Sequence, residues 1–144
     1  MLVRFIINLM TPDSETVHAA SILSELVRLE RDFHQPPPGT LLSSLENATV
    51  EDFWEVGASG RLYSRSFVMS ELDRRLKSPG PNAWTYSEPH CRQLAPDVFM
   101  LCYSLVQDND RFTRRSTIWQ RFPEGWKMVF HQGTVVQDQD IPQP

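Results

Sequence analysis

The fold is decided by residues 98–136, which read VFMLCYSLVQDNDRFTRRSTIWQRFPEGWKMVFHQGTVV. Apolar and aromatic runs of about ten residues alternate there with two turn signals, Asp-Asn-Asp at 108–110 and Pro-Glu-Gly at 123–125. Long β-rich runs separated by tight turns are typical of an antiparallel meander. Including the segment before Ala95-Pro96-Asp97, the pattern predicts strands over 84–94, 98–107, 111–122 and 126–136.

Helical patterns dominate the first half of the chain. Capping and turn-forming residues at 11–15 precede an apolar stripe at helical spacing, which predicts a long amphipathic helix ended by Pro-Pro-Pro-Gly at 36–39. A short helix is predicted over 41–46, a glycine-bounded hairpin over 53–63, and a third helix that begins at Ser64 or Ser66 and ends near Lys77. Helices first and long strands last, without βαβ alternation, predict an α+β fold in which helices cover one face of one curved sheet.

Composition limits the domain organisation and the class of protein. The chain has 144 residues, 40% of them hydrophobic, which is enough for one domain with a true core. We expect an N-terminal extension over 1–13, a single domain over 14–136 and a loose tail over 137–144.

Charge and cysteine content exclude several functions. With 14 Lys+Arg against 18 Asp+Glu, the net charge of −4 argues against a nucleic-acid binder. The two cysteines lie outside any CxxC pair, so no zinc site is predicted, and no cofactor motif is present. Because no signal peptide and no run of about 20 apolar residues is recognisable, we expect a cytoplasmic protein without membrane association.

Two segments carry a resemblance to a known family. They are FWEVGASGRLYSR at 53–65 and the closing pair RSTIW at 115–119 and WKMVFHQGT at 126–134. Together with the order of elements, they resemble the nuclear-transport-factor-2-like superfamily, in its uncharacterised branch allied to ketosteroid isomerase and the SnoaL-like cyclases. The resemblance covers most of residues 14–136. It implies a cone-shaped, strongly curved antiparallel sheet wrapped around N-terminal helices, the cystatin-like α/β roll, with a pocket at the open end and dimerisation through the sheet.

Turn lengths predict which side chains face the cone interior. A three-residue loop at 123–125 places Phe122 opposite Trp126, and a two-residue turn at 109–110 places Tyr103 opposite Ser116. The even-numbered face of the last two strands is the more apolar, so we assign it to the interior. Candidate ligand-binding residues, including two from the 53–65 segment, are then Trp54, Glu55, Tyr103, Arg114, Ser116 and Gln132. The polar members either bind a small molecule or satisfy one another in the core.

The acid–base candidates are less defined. Glu55 and His131 form a pair suited to proton transfer near neutral pH, but the predicted register places His131 on the outer face, at the surface or an interface. His18, His34 and His90 are scattered and indicate no metal site. We name no catalytic residue.

The pattern departs from that of the isomerases of this fold. Those enzymes use a carboxylate base with Tyr and a protonated Asp as oxyanion donors. The strand over 111–122, where that Asp is expected, contains no acidic residue. Ketosteroid isomerisation by that mechanism is therefore not expected.

Four arginines form a local positive cluster within this acidic chain, at 111, 114, 115 and 121. The cluster binds either an anionic ligand or an acidic partner, or it is a solvated strand face that pairs with nearby acids. Three functions remain open: a small-molecule-binding domain, an isomerase, cyclase or hydratase acting on a hydrophobic small molecule, and a protein-interaction module that uses the sheet or the arginine-rich strand.

Two further expectations concern the sheet. A homodimer across the outer face is predicted, with Trp119 as its exposed anchor between the stems of Arg115 and Arg121. A two-residue turn at 96–97 makes Cys91 and Cys102 direct cross-strand neighbours, which we expect to remain reduced.

Overall fold

A computed structural model of the chain describes residues 13–80 and 83–137. Helix α1 spans Ser14–His34 and begins where the sequence predicts, because the Asp13 carboxylate accepts a hydrogen bond from the Thr16 backbone N–H at 2.7 Å. Its apolar stripe faces the core, where Ile22, Leu26 and Phe33 are buried.

Two shorter helices complete the helical layer. Helix α2 spans Leu42–Asn47, and helix α3 spans Arg65–Lys77 with the Ser64 hydroxyl as its N-terminal cap. The Arg65 guanidinium donates to the Glu46 carbonyl oxygen at 2.9 Å, which ties the start of α3 to α2.

Six strands form one open sheet, in the order β2-β1-β6-β5-β4-β3. All neighbouring pairs are antiparallel except β1 and β6, which run parallel, so the expectation of a purely antiparallel sheet is corrected. The α+β fold class is confirmed. The strands are β1 Thr49–Val56, β2 Leu62–Ser64, β3 Trp84–Ala95, β4 Val98–Gln107, β5 Arg111–Phe122 and β6 Gly125–Val135.

The core lies between the helices and one face of the sheet. The buried side chains of β4 and β5 are the odd-numbered ones, among them Leu101, Tyr103 and Trp119. The interior therefore lies on the face opposite to the one predicted for β5. Trp119 is 1% exposed, so it cannot anchor a dimer across the outer face.

The β4–β5 connection explains one register error. Gln107 pairs with Arg111 across a three-residue loop, in which Asp108 and Asn109 adopt φ of 54° and 65°. Asp and Asn tolerate this left-handed conformation better than most residues. The extra residue pairs Tyr103 with Arg115, rather than with Ser116.

The β5–β6 pair contains a bulge. Phe122 pairs with Gly125 across a two-residue turn, which shifts the predicted pairing by one. The register set by this turn continues as far as the pair Trp119–Met128. The preceding residue of β5, Ile118, pairs with Phe130, so Val129 is an extra residue in β6. Beyond the bulge the pairing is the predicted one, and only the assignment of faces is wrong.

A similar irregularity separates the two cysteines. The two-residue turn at 96–97 is present, but the register shifts between Gln93 and Ala95, so Cys91 pairs with Leu101. The prediction that Cys91 and Cys102 are direct partners is therefore wrong. Both are free thiols on adjacent strands, and Cys102 lies 3.5 Å from the Ser116 hydroxyl.

Residues 1–12 and 138–144 lie outside the described part of the chain, so the predicted N-terminal extension and C-terminal tail stay predictions. Among the described residues, no helix is long and apolar enough to cross a membrane.

Candidate functional site in the cone interior

A buried carboxylate lies at the centre of the interior. Glu30 of α1 is 1% exposed and faces three strands of the sheet. Its Oε1 accepts hydrogen bonds from the hydroxyls of Tyr103 at 2.8 Å and Thr117 at 2.7 Å, and its Oε2 accepts one from the Trp119 indole at 3.0 Å. Several donors to one carboxylate offset the cost of burying its charge.

Two histidines contact the same carboxylate. His34, one helical turn after Glu30, places Nε2 3.0 Å from Glu30 Oε1. His131 of β6 places Nδ1 2.7 Å from the Thr117 Oγ1 and 3.3 Å from Glu30 Oε1. The two imidazole rings lie 4.6 Å apart. Glu30, His34 and His131 therefore form one buried cluster, which we call the Glu–His cluster.

Burial and hydrogen bonding set the charge of this cluster. Burial alone raises the pKa of Glu30, but hydrogen bonds from His131 and His34 outweigh it and hold that pKa well below its usual value of 4.5. Burial lowers the pKa of His34 below its usual value of 6.5, against the opposing effect of Glu30. At neutral pH the cluster thus contains an ionised Glu30 beside a neutral His34.

The hydrogen bonds also orient His131. Because the Thr117 hydroxyl gives its one proton to Glu30, its oxygen accepts a proton from His131, which assigns that proton to Nδ1. Nε2 then carries a lone pair, and it faces an N–H of Arg115 at 3.4 Å. A carboxylate that holds one imidazole nitrogen protonated while the other keeps its lone pair is the arrangement of a general base.

A cavity opens above this nitrogen. Its volume is about 260 Å³, near the lower end of the usual range of roughly 300–1,000 Å³ for ligand sites. His34 and His131 lie at its base, and α3 supplies Phe67, Val68 and Leu72 to one wall. The charged residues that line it are Glu55, Glu71, Arg75, Arg111 and Arg115.

The Glu–His cluster also has the composition of a metal site. Its three ligand atoms lie within 4.8 Å of one another. Coordination through His131 Nδ1, however, moves the imidazole proton to Nε2, where it meets an N–H of Arg115. Two donors facing each other are unfavourable, so the network fits proton transfer better than a bound cation.

Two of the predicted site residues, Glu55 and Tyr103, reach the expected region, and Trp54 does not. Glu55 pairs with His131 across β1 and β6 and lines the cavity. Tyr103 is interior, as predicted, but its hydroxyl is bonded to Glu30. Trp54 packs against Phe130 at 4.5 Å between ring centroids and lines a separate, open groove on the outside.

The other three lie on the wrong face. Ser116 and Gln132 are register partners, as predicted, but they share the outer face with Arg114, and both Arg114 and Gln132 are exposed. The inner positions next to them are Arg115, Thr117 and His131, since side chains alternate along a strand. The prediction that His131 is a surface residue is wrong, because it is 2% exposed.

Sequence reasoning missed Glu30 altogether. Glu30 follows Leu26 by four residues and precedes Phe33 by three, so it belongs to the buried stripe of α1. A carboxylate within an apolar stripe is a signal that could have been used. His34, dismissed as scattered, follows it by one further helical turn.

Comparison with known proteins places this geometry in a fold family. No family model and no curated protein matches the sequence. Solved structures do match. An uncharacterized protein with a cystatin-like fold from Caulobacter vibrioides is 14% identical, with a TM-score of 0.61 over 88% of this chain and 93% of that one. The chain has this cystatin-like fold.

Two structures described as NTF2-like share the fold of this chain. One, from Cytophaga hutchinsonii, is 14% identical, with a TM-score of 0.60 over 87% of this chain and 100% of that one. The other, from Streptomyces avermitilis, is named provisionally as a dehydratase of the NTF2-like family. It is 11% identical, with a TM-score of 0.64 over 82% of this chain and 98% of that one. At such low identity the NTF2-like likeness concerns the fold, and the site must be argued from this chain's own residues.

Proposed function

We propose that this NTF2-like chain binds a small molecule in the cone cavity and transfers a proton to or from it through His131. The observation that carries the proposal is the orientation of His131. Its Nδ1 is held by Thr117 and Glu30, while its Nε2 faces the cavity side at Arg115. The contact with Arg115, at 3.4 Å, is the longest that His131 makes and lies at the cavity, so a substrate proton can replace it.

The chemistry that fits is the removal of a proton from carbon. The substrate C–H bond breaks, the proton passes to His131 Nε2, and the electron pair stays on the substrate, delocalised into an adjacent carbonyl or carboxyl group. Ionised Glu30 stabilises the imidazolium that forms. Return of the proton to a second carbon gives isomerisation, and its transfer to a departing hydroxyl gives dehydration, so isomerase and hydratase chemistry share this first step.

A binding domain without catalysis is the second candidate. Its support is the same cavity, together with the fact that Glu30 is already saturated with donors. Catalysis and simple binding differ in one measurable respect, because only a positioned base accelerates the exchange of carbon-bound protons with solvent.

The test follows exchange in D2O by proton NMR, using a panel of small ketones, aldehydes and β-hydroxy acids. The wild-type protein is expected to accelerate exchange of the α-protons of at least one class, and His131→Gln should lose about 10²–10⁴-fold of that rate. His90→Gln is the matched control, since His90 is exposed on β3. Equal exchange with wild type and His131→Gln contradicts the catalytic proposal.

Several finer predictions are retained as proposals. Membership of the branch allied to ketosteroid isomerase and the SnoaL-like cyclases rests on the sequence segments given above, and a cytoplasmic location agrees with two cysteines that form no disulfide. A homodimer across the outer sheet face, or an interaction surface there, is supported by exposed Trp54 and Leu62, at 46% and 67%. Among the predicted ligand-binding residues, Glu55 is the one we propose to contact a ligand in the cavity.

A further inference from the structure

Arg115 is a half-buried cation at the cavity whose protein partners are all uncharged. Its Nε donates to Thr113 Oγ1 at 3.0 Å, one terminal nitrogen donates to Gln107 Oε1 at 3.1 Å, and the other faces His131 Nε2 at 3.4 Å. Within residues 13–80 and 83–137 no carboxylate forms an ion pair with Arg115. Ionised Glu30 lies on the far side of His131, so it balances the charge of Arg115 only through that ring, and the guanidinium remains open to a carboxylate in direct contact.

The three contacts also leave donors unused. A guanidinium has five N–H groups in a rigid planar fork, so two of them have no protein partner. Two parallel donors match the two oxygens of a carboxylate. Because Thr113, Gln107 and His131 fix the orientation of the fork, it needs little reorganisation to receive such a group.

The remaining charges on the cavity favour an anion near Arg115. Arg75 and Arg111 line the same cavity and form no ion pair with any described residue. Of the two acidic residues that line it, Glu71 is paired with Arg74 at 2.9 Å, which leaves Glu55 as the opposing charge. When Arg74 and the ionised Glu30 behind His131 are included, four arginines oppose three carboxylates, so the site carries a net positive charge in a negatively charged protein.

We propose that the cavity takes small carboxylates, whose carboxyl group is bound by Arg115 and whose apolar part lies against the wall formed by Phe33, Phe67 and Leu72. This assignment rests on the proposed function, because it names the ligand class of the same cavity. It also adds a reason for the chemistry. Arg115 and His131 are adjacent, so a carboxylate held by Arg115 brings its neighbouring carbon towards the base, and the negative charge that develops on the carboxylate oxygens faces a cation.

The experiment compares matched pairs of probes that differ in charge but not in shape: benzoate with benzamide, and cyclohexanecarboxylate with its primary amide. Binding to the full chain is followed at millimolar probe concentration by amide shifts in two-dimensional ¹⁵N NMR spectra. The carboxylates are expected to shift cavity residues such as Gly57 and Gly133 and to bind at least about tenfold more tightly than the amides.

Variants locate the effect. Arg115→Gln should weaken carboxylate binding by about tenfold or more and leave amide binding unchanged. Arg115→Lys should recover only part of it, because an ammonium lacks the planar fork. Arg114→Gln, on the exposed outer face, is the matched control and should bind like wild type. Arg111→Gln tests the same cavity if Arg115→Gln does not fold, and it should weaken carboxylate binding to a smaller extent.

Three results overturn the inference. The first is that acids and amides bind equally well in the cavity. The second is that Arg115→Gln and Arg111→Gln both leave carboxylate binding unchanged. The third is that no carboxylate shifts the amide signals of cavity residues. The first leaves the proposed function intact, since the cavity then binds small molecules without regard to charge. A second result separates the ligand-class inference from the proposed function. If Arg115→Gln still accelerates proton exchange in neutral ketones, His131 acts as a base without a carboxylate substrate.

Discussion

Tyr103 and Tyr86 offer the sharpest test of the buried network, because the same chemical change should have opposite effects. Their rings lie 5.4 Å apart, but the hydroxyls differ. The Tyr103 hydroxyl donates to ionised Glu30 at 2.8 Å, whereas the Tyr86 hydroxyl oxygen is buried and has no hydrogen-bond partner among the described residues. We therefore compare Tyr103→Phe with Tyr86→Phe.

The magnitudes follow from the contacts. A hydrogen bond to a charged group contributes about 1.5–3 kcal/mol, so Tyr103→Phe should lower the free energy of unfolding by that amount. Glu30 Oε1 keeps its bond from Thr117, so no acceptor is orphaned and the loss should not exceed this range. Tyr86→Phe removes an unpartnered polar atom, so its free energy of unfolding should be unchanged or higher by up to about 1 kcal/mol.

Urea unfolding at pH 7.5, followed by tryptophan fluorescence and circular dichroism, measures both. For a chain of this size about 2–4 °C of Tm corresponds to 1 kcal/mol, so thermal melts should separate the two variants by roughly 3 °C or more. Tyr63→Phe, a partly buried tyrosine of the cavity wall, serves as an additional reference. Equal losses for Tyr103→Phe and Tyr86→Phe would refute the reasoning, since the hydroxyl of Tyr103 would then contribute nothing through Glu30.

Three further outcomes are expected. Stability should fall on acidification in two steps. Below about pH 6.5 an unfolded His34 takes a proton that the folded, buried ring resists, and below pH 4.5 an unfolded Glu30 takes a proton that the folded carboxylate resists. A pH series of urea midpoints measures this, and a flat profile between about pH 7.5 and 5 contradicts it. Thr117→Val, at a 0% exposed site, should cost about 1.5–3 kcal/mol in the same urea assay, while Thr134→Val on the exposed face should cost less than about 0.5 kcal/mol. Asp13→Ala should lower the urea midpoint through loss of the α1 cap, and Asp13→Asn should restore most of it.

Most of the fold could be predicted from local patterns. The strand over 98–107 and the strand over 111–122 have the predicted bounds, and the caps Asp13 and Ser64 are among the candidates that the sequence offers. These features depend on neighbours within a few residues. The parallel pairing of β1 with β6 joins distant segments, so no local pattern reveals it.

The candidate site was harder to predict because its interior is polar. The usual assumption that the more apolar face is the buried one fails in β5, where the inner face carries Thr113, Arg115 and Thr117 around Glu30 and the cavity. The outer face, with Phe112 and Ile118, is the more apolar of the two. Loop length added a second error, since one residue in a turn moves a whole strand by one position.

The bulge at Val129 carries a consequence for how this interior can change in evolution. Met128 and His131 are three residues apart, so a regular strand shows them on opposite faces, yet here both are buried. Deleting Val129 places His131 two residues after Met128, so a regular strand then faces both of them inward and the bulge is no longer needed. A lineage could thus lose or acquire Val129 through a single codon change with the Glu–His cluster still inside, whereas a strand that keeps Val129 but loses the bulge must turn His131 outward and Gln132 inward.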